Sequence, residues 1–521
     1  MRGAAPSPAS GPRHASPAAE VARWEKLFVL AACLVAGLRV FVFNAAWPFF
    51  NNNDERAHFD LIYKYSTGWR PQFDSRTGFN DNYSPQSAFD IFYFGSLEFY
   101  FPPAAYAGGR TPPPVWQWPR DQAAAYVRQE VHALTAQANH EALAPPLYYL
   151  VAGAWRDLGV ALGRRGLALL YWIKWLNVFV YMALVALAWR FCRMAFPDGN
   201  YLRLAVPLAL VTLPQSLYYS ITNDVPSPLV FLAALTMLGE LSFAEKSWRY
   251  HAGAGLLAAA AFLVKESNIA ILAAAAVVGA RGAWRATCAK TWRRDGPRLA
   301  ALGLGAALPV AAWLAYNRVV FGVWLIAEEK ARMLTWLPRP ASQWLHHPIF
   351  TLVGLWSFFG FLLETFWRGE MKWHRAFVSF APADWFFIIS SIVFAAAALV
   401  GLIGARRTEN PRAVYTMKLL WLAIAVSVAA LVFKSISVDF NQSWYPSRAF
   451  PYLASGRLVA GLLVPFLTIY VYGLEKLLSP FRRYIHPLWV VALIAAGMFA
   501  SEVIANREVF ASQYNWWHMP R

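Results

Sequence analysis

Residues 27–60 read LFVLAACLVAGLRVFVFNAAWPFFNNNDERAHFD. From Leu27 to Ala46 the only charge is Arg39. A helix rising ~1.5 Å per residue needs roughly 20 residues to cross the ~30 Å hydrocarbon layer of a bilayer. At Asn51 the character reverses, and Asp54, Glu55, Arg56 and His58 fall within one short segment. An apolar run that ends in such a cluster reads as a helix leaving lipid for water.

The pattern repeats along the chain. Its 521 residues are 58% hydrophobic, 16% aromatic and only 15% charged. Further apolar runs occupy 169–189, 204–221, 225–243, 252–264, 268–281, 299–317, 385–405, 416–433, 454–474 and 487–505. Helices satisfy their own backbone hydrogen bonds in lipid. The fold expected is therefore an all-α polytopic membrane protein with about eleven transmembrane helices. The runs 252–264 and 268–281 are short for a full crossing and read as a hairpin meeting at KESN, 265–268. Residues 145–162 carry Arg156 and Asp157 and read as an interfacial helix; 349–366 reads as a re-entrant or interfacial segment.

The formal charge of +18 suggests nucleic acid as a partner, but its distribution excludes one. The excess lies in short clusters between apolar runs, among them Arg190, Arg193 and Arg203, then Arg281, Arg285 and Arg298, then Arg406, Arg407 and Arg412. Placed inside, these clusters obey the positive-inside rule, with the N-terminus cytoplasmic and the first run an uncleaved anchor. Cys33, Cys192 and Cys288 have no zinc-like spacing. The organisation expected is a disordered cytoplasmic tail (1–24), a membrane domain (25–510) and an extracytoplasmic tail (511–521). Two outward loops, 48–143 and 318–384, belong to the membrane domain. The first holds ten acidic and seven basic residues, and loops of such length usually have a function.

Within the first loop, Asn53 or Asp54 can cap a helix running to Gly68, with Ala57, Leu61, Ile62 and Tyr65 at helical spacing. A second helix starts at Asp121 after Pro119, with Val127, Val131 and Leu134 on one face. Asp54 and Glu55 have two readings. One is capping and interaction with the helix dipole. The other makes one carboxylate a general base, its pKa raised by partial desolvation. His58, a turn beyond Asp54, can bond it, join a metal site or sit at the surface.

DERAHFDLIYKYSTG at the head of this loop resembles the Asp-Glu-x-x-His-Phe motif of GT-C fold integral-membrane glycosyltransferases. The branch it resembles is a bacterial one, related to the protein O-mannosyltransferases and the lipid A aminoarabinose transferases. Similar elements follow in order: APPLYYL at 144–150, TND at 222–224, LVKESN at 263–268 and SGRLVAGLLVPF at 455–466. The resemblance implies a GT-C-like fold with a large first extracytoplasmic loop. It also implies a transferase moving a sugar from a polyprenyl-phosphate carrier to a glycan, lipid or protein acceptor at the extracytoplasmic face of a bacterial inner membrane. Asp54 would be the base of an inverting displacement; Glu55 would orient the acceptor or hold a cation, or else be a solvated helix-end acid. One departure stands out: where related enzymes have His or Glu-Lys before the Pro-Pro pair, this chain has Leu143-Ala144, with His140 and Glu141 one turn earlier. No cofactor is fixed by the residues, and a divalent cation (Mg or Mn) is left open.

A lipid phosphate leaving group needs cations. Lys265, between two apolar half-helices, is the first candidate, with pairing to Glu266 as the alternative. Arg457 and Arg448 follow, each able instead to snorkel to lipid headgroups; Lys174 is a fourth. Asn223 and Asp224 read as helix caps. Glu364, Arg368, Glu370, His374 and Arg375 form a group with aromatics suited to a sugar or to an interface. His346 and His347 are adjacent, so on a helix they point apart. The rival reading is a transporter or flippase of polyprenyl-linked glycan or lipid, which also needs charge at membrane depth. Against it stand the length of the first loop and the lack of a repeated half.

Overall fold

The computed structural model describes residues 17–50, 54–68, 73–74, 78–79, 81–199, 201–325, 331–404, 410–443 and 445–519. Asn53, Arg406, Arg407 and residues 1–16 lie outside these. All eleven apolar runs are helical. Eight belong to helices long and apolar enough to cross a membrane: Arg23–Ala46, Gly166–Ala195, Glu266–Cys288, Trp292–Phe321, Ala381–Gly404, Pro411–Ser437, Gly456–Phe481 and Pro487–Ala505. The chain is an integral membrane protein.

In chain order, α1 is Pro17–Ala46, α2 Glu55–Ser66, α3 Pro85–Phe94, α4 Arg120–Thr135, α5 Leu147–Ala161 and α6 Gly166–Ala195. Then come α7 Tyr201–Val211, α8 Ser227–Phe243, α9 Trp248–Val264, α10 Ala270–Cys288 and α11 Trp292–Phe321. The last set is α12 Leu352–Arg368, α13 Ala381–Gly404, α14 Pro411–Ser437, α15 Leu463–Leu478 and α16 Pro487–Ala505. Strands among the described residues are two-residue pairs, such as Leu337–Pro338 against Val438–Asp439.

Three expectations change. The run 204–221 is not one span: α7 stops at Val211, because Pro214 cannot extend it, and a 3-10 turn at Ser216–Tyr219 follows. Nor is 268–281 a short half-helix, although the helix that holds 252–264 stays shorter than a full crossing. α9 begins four residues earlier, and α10 with its leading 3-10 turn extends through Arg281 and Arg285 to Cys288. Charged side chains at helix ends reach past the lipid, so charge does not mark the boundary there. Third, α3 is an unexpected helix within the loop. Ser84 caps it by accepting from the Ser87 N–H, with Pro85 in the first turn.

Helix packing relies on small residues. A Cβ on Gly255 of α9 would collide with the Leu302 carbonyl of α11, and one on Gly305 with the Ala252 carbonyl. The two backbones approach through these glycines, as membrane helices do when close packing holds them together. Arg39, the one charge in the first span, is buried against α16: its guanidinium lies 2.8 Å from both Glu502 oxygens and donates to Tyr219 at 2.8 Å. The tail after α16 turns back onto the first loop, where Tyr514 donates to the Pro112 carbonyl at 2.9 Å and Ser512 bonds Glu98.

Removing one partner of a buried pair strands the other charge, at a cost of about 3–5 kcal/mol. Glu502→Ala should therefore lower the thermal midpoint of the purified protein sharply. Arg39→Leu combined with Glu502→Leu should recover most of the loss.

Candidate active site

The first loop is organised around α2. Its apolar face (Ala57, Leu61, Ile62) is buried, and Phe59 packs with Phe50 at 5.4 Å between ring centroids. The helix ends as expected, at Thr67 and a left-handed Gly68. Two of the four buried polar residues of the same helix, Asp60 and Lys64, tie the loop together. Asp60 accepts from the Ser84 N–H at 2.8 Å, the Ser87 hydroxyl, the Asn139 amide at 2.8 Å and Lys64 at 2.8 Å. Lys64 gives its other protons to Asp81 at 2.8 Å and the Asn82 carbonyl at 2.7 Å. Asn139 also donates to the Ala57 carbonyl and accepts from the Glu141 N–H, both at 3.0 Å. These bonds hold His140 and Glu141 beside the start of α2.

Asp54 stands there. It holds the N-cap position of α2, but its side chain makes no capping bond. Instead Oδ1 lies 3.3 Å from His140 Nε2, and Oδ2 is paired with Arg457 Nη1. His140 is in turn 3.8 Å from Glu141. One donor atom from each of Asp54, His140 and Glu141 lies within 4.8 Å of the others, so these three side chains could hold a divalent cation.

A cleft of about 360 Å³ opens beside them. Asp54, His58, His140 and Glu141 form one wall; Asp224, Lys265 and Glu266 form another; Lys434, Tyr445, Ser455 and Arg457 close the third. Asp54, His58, Glu141, Lys265 and Arg457, each singled out in the sequence, thus share one cavity. Lys265 sits at the break between α9 and α10, pairs with Asp224, and has only 13% of its side chain exposed. This corrects the cap reading of Asp224. The residue before α8 is Pro226, and Asp224 belongs to the cleft.

Arg457 does not snorkel. It follows Gly456, whose backbone presses against Phe366 so closely that a Cβ would not fit. Besides Asp54, it lies 3.5 Å from Glu370, whose carboxylate also accepts from the Ser455 hydroxyl. Of the group expected to suit a sugar, Glu370 thus reaches Arg457, whereas Glu364 and Arg368 pair with each other at 3.5 Å, and Arg368 reaches Asp384 at 3.2 Å.

His58 is buried, and its Nδ1 lies 2.8 Å from the Tyr149 hydroxyl. Burial pushes its pKa down to about 4, against the pull of the Glu141 and Asp54 carboxylates, so the ring is neutral at pH 7. It is not a surface histidine.

Two expected site residues lie elsewhere. Glu55 is neither solvated nor on the cleft: it is 1% exposed and accepts from the Ile221 N–H at 2.8 Å. Arg448 is also outside the cleft lining, held on the surface by Asp439, nine residues earlier, at 2.9 Å. Lys174 is buried as well, donating to the Trp47 carbonyl at 2.7 Å. His347 Nδ1 accepts from the Ile349 N–H at 3.1 Å, so it is a local cap and not half of a metal pair. Asp60, Asn139 and Asp224 act in the site although the sequence alone did not single them out for it. Asn139 and His140 could have been suspected from their place just before Pro145-Pro146.

No family model and no curated protein match this chain. Solved structures similar to it include three membrane enzymes. The apo oligosaccharyltransferase of Archaeoglobus fulgidus has a TM-score of 0.43 at 10% identity, over 96% of this chain and 57% of its own. ArnT from Cupriavidus metallidurans, solved with undecaprenyl phosphate, scores 0.39 at 14% identity, over 95% and 74%. The arabinosyltransferase EmbB of Mycobacterium smegmatis scores 0.39 at 13% identity, over 88% and 37%. This chain therefore spans little more than half of the oligosaccharyltransferase. Likenesses this low describe the general course of the chain, and the chemistry rests on the site itself.

Burial, only partly offset by Lys64, pushes Asp81 up to about 6 from an ordinary 3.8. The folded state then holds a proton that the unfolded state gives up. Asp81's contribution to stability is therefore fully present below about pH 4 and lost as pH rises through 6. Asp90, raised to about 6 by burial, has the same sign. Denaturation midpoints between pH 4 and 7 should fall with pH in the parent chain. In Asp81→Asn the slope should be shallower but not abolished.

Proposed function

We propose that this chain is an integral-membrane glycosyltransferase that takes a sugar from a polyprenyl-phosphate carrier and passes it to an acceptor at the extracytoplasmic face. The observation that carries the reading is the cleft itself. A carboxylate, Asp54, faces two cations, Lys265 and Arg457, where membrane helices end. A lipid-borne phosphate reaches such a place along the bilayer, and two cations lining one cleft suit its charge.

Each cation is balanced by an acid in this arrangement: Lys265 by Asp224, and Arg457 by Asp54 and Glu370. A donor phosphate competes for the same guanidinium and ammonium. Once Arg457 turns to the phosphate, Asp54 loses its counter-charge and becomes a better base. The acceptor oxygen then attacks the anomeric carbon while the bond from that carbon to the phosphate oxygen breaks. The acceptor proton passes to Asp54, the polyprenyl phosphate leaves as an anion stabilised by Lys265 and Arg457, and the sugar carbon inverts. His58 and His140 line the cleft on the Asp54 side.

Asp54, His140 and Glu141 fit a divalent cation by donor type and spacing, the imidazole favouring Mn over Mg. A bound cation would supply further positive charge beside the leaving phosphate. Mn titrations followed by electron paramagnetic resonance should show binding by the parent chain and at least about tenfold weaker binding by His140→Ala, as loss of a ligand dictates.

The transfer itself is tested with purified protein in nanodiscs and a panel of polyprenyl-phosphate sugars. The parent chain should release free polyprenyl phosphate. Asp54→Asn should slow release by about a hundredfold or more, the usual worth of a general base. Unchanged release in a folded Asp54→Asn protein would remove Asp54 from the chemistry, and no release with any donor would favour a transporter.

A further inference from the structure

The end of the bundle away from the cleft carries a second cavity, of about 470 Å³, between the ends of α8 to α11 and the start of α14. Helix lengths set the distance. From Arg285 to Ala270 along α10, and from Arg412 to Lys434 along α14, the rise is about 22 and 33 Å. That separation is about one bilayer's hydrocarbon thickness. Three exposed tryptophans stand at the same end, Trp248, Trp284 and Trp292, at 57%, 71% and 48% exposure. Indoles gather where lipid meets water, which puts the cavity at headgroup level.

Its charge is one-sided. Six cations of the lining stand against two acids, Glu245 and Asp295: Lys246 pairs with Glu240 at 3.0 Å outside it, Arg294 lies 3.0 Å from Asp295 and 3.1 Å from Glu245, and Arg298 lies 3.0 Å from Asp295. The remaining three cations, Arg281, Arg285 and Arg412, meet no carboxylate among the described residues. Arg281 lies over the Tyr415 ring at 3.9 Å, Arg285 donates to the Ser242 carbonyl at 3.1 Å, and Arg412 faces the Phe243 ring at 5.7 Å. These contacts aim the guanidinium groups without neutralising them. A scattered basic loop sets topology and no more, but here the charges converge on a concavity with polar walls.

We infer that this cavity binds the phosphodiester headgroup of an anionic phospholipid, held chiefly by Arg281, Arg285 and Arg412. Basic pockets between membrane helices recognise such headgroups, and guanidinium suits phosphate better than a point charge does. Position selects a lipid over a soluble anion: the tryptophans fix the cavity in the layer where headgroups lie, and acyl chains can pass down the apolar outer faces of α10 and α11.

The test is native mass spectrometry of the full chain from a neutral detergent, titrated with phosphatidylglycerol or phosphatidylcholine. Arg281→Gln with Arg285→Gln is compared with a control that removes the same charge from exposed sites, Arg110→Gln with Arg164→Gln. The double variant should bind phosphatidylglycerol at least about tenfold more weakly, as expected for two arginines near a headgroup. The control should bind it unchanged, and phosphatidylcholine should bind weakly throughout. Thermal midpoints check folding, and Arg412→Gln alone is the substitute if the double variant unfolds. Retention of phosphatidylglycerol by the variant, an equal loss in the control, or equal binding of phosphatidylcholine would overturn the proposal. Displacement of phosphatidylglycerol by millimolar inorganic phosphate would overturn the choice of a lipid.

Discussion

Asp60 is a carboxylate with no solvent contact, and most of the candidate site hangs on it. A buried charge survives only when its hydrogen-bonding capacity is filled. Asp60 meets this condition with donors from three parts of the chain: Lys64 on its own helix, Ser84 and Ser87 at the start of α3, and Asn139 before the Pro-Pro pair. Satisfying that one group folds a loop of nearly a hundred residues back onto α2. Asn139 then holds the Glu141 N–H, and His140 and Glu141 come to rest beside Asp54. Without the hub nothing local would bring residue 140 to residue 54.

A second constraint comes from the membrane. Cations at the ends of buried helices need counter-charges, and the site uses acids from distant segments: Asp224 for Lys265, and Asp54 with Glu370 for Arg457. Such pairs are costly to bury but easily exchanged for a better partner. In the proposed function an anionic lipid headgroup entering from the bilayer is such a partner, and its binding would free Asp54 in the same event.

The membrane class and the positions of the eight helices long and apolar enough to cross were legible in the sequence, because an apolar run of that length can satisfy its backbone in lipid only by coiling into a helix. Boundaries were less so. Pro214 cut one expected span short, whereas Arg281 and Arg285 did not end another. In the site, Asp54, His58, Glu141, Lys265 and Arg457 converge on one cleft; each lies in a motif beside a helix break or end. Glu55 and Arg448 do not, for reasons invisible in one dimension: Ile221 and Asp439 claim them. Asp60, Asn139 and Asp224 were not legible as site residues, since their work is done through partners up to tens of residues away. Residue type alone does not distinguish a buried, fully bonded Asp from a solvated one.

The central claim is that a polyprenyl phosphate seats between Lys265 and Arg457. A photoreactive polyprenyl-phosphate analogue, crosslinked in nanodiscs and mapped by peptide mass spectrometry, tests it most directly. The account predicts labels on the peptides carrying residues 263–268 and 453–458, suppressed by unlabelled polyprenyl phosphate. Competed labelling confined to other segments would contradict it.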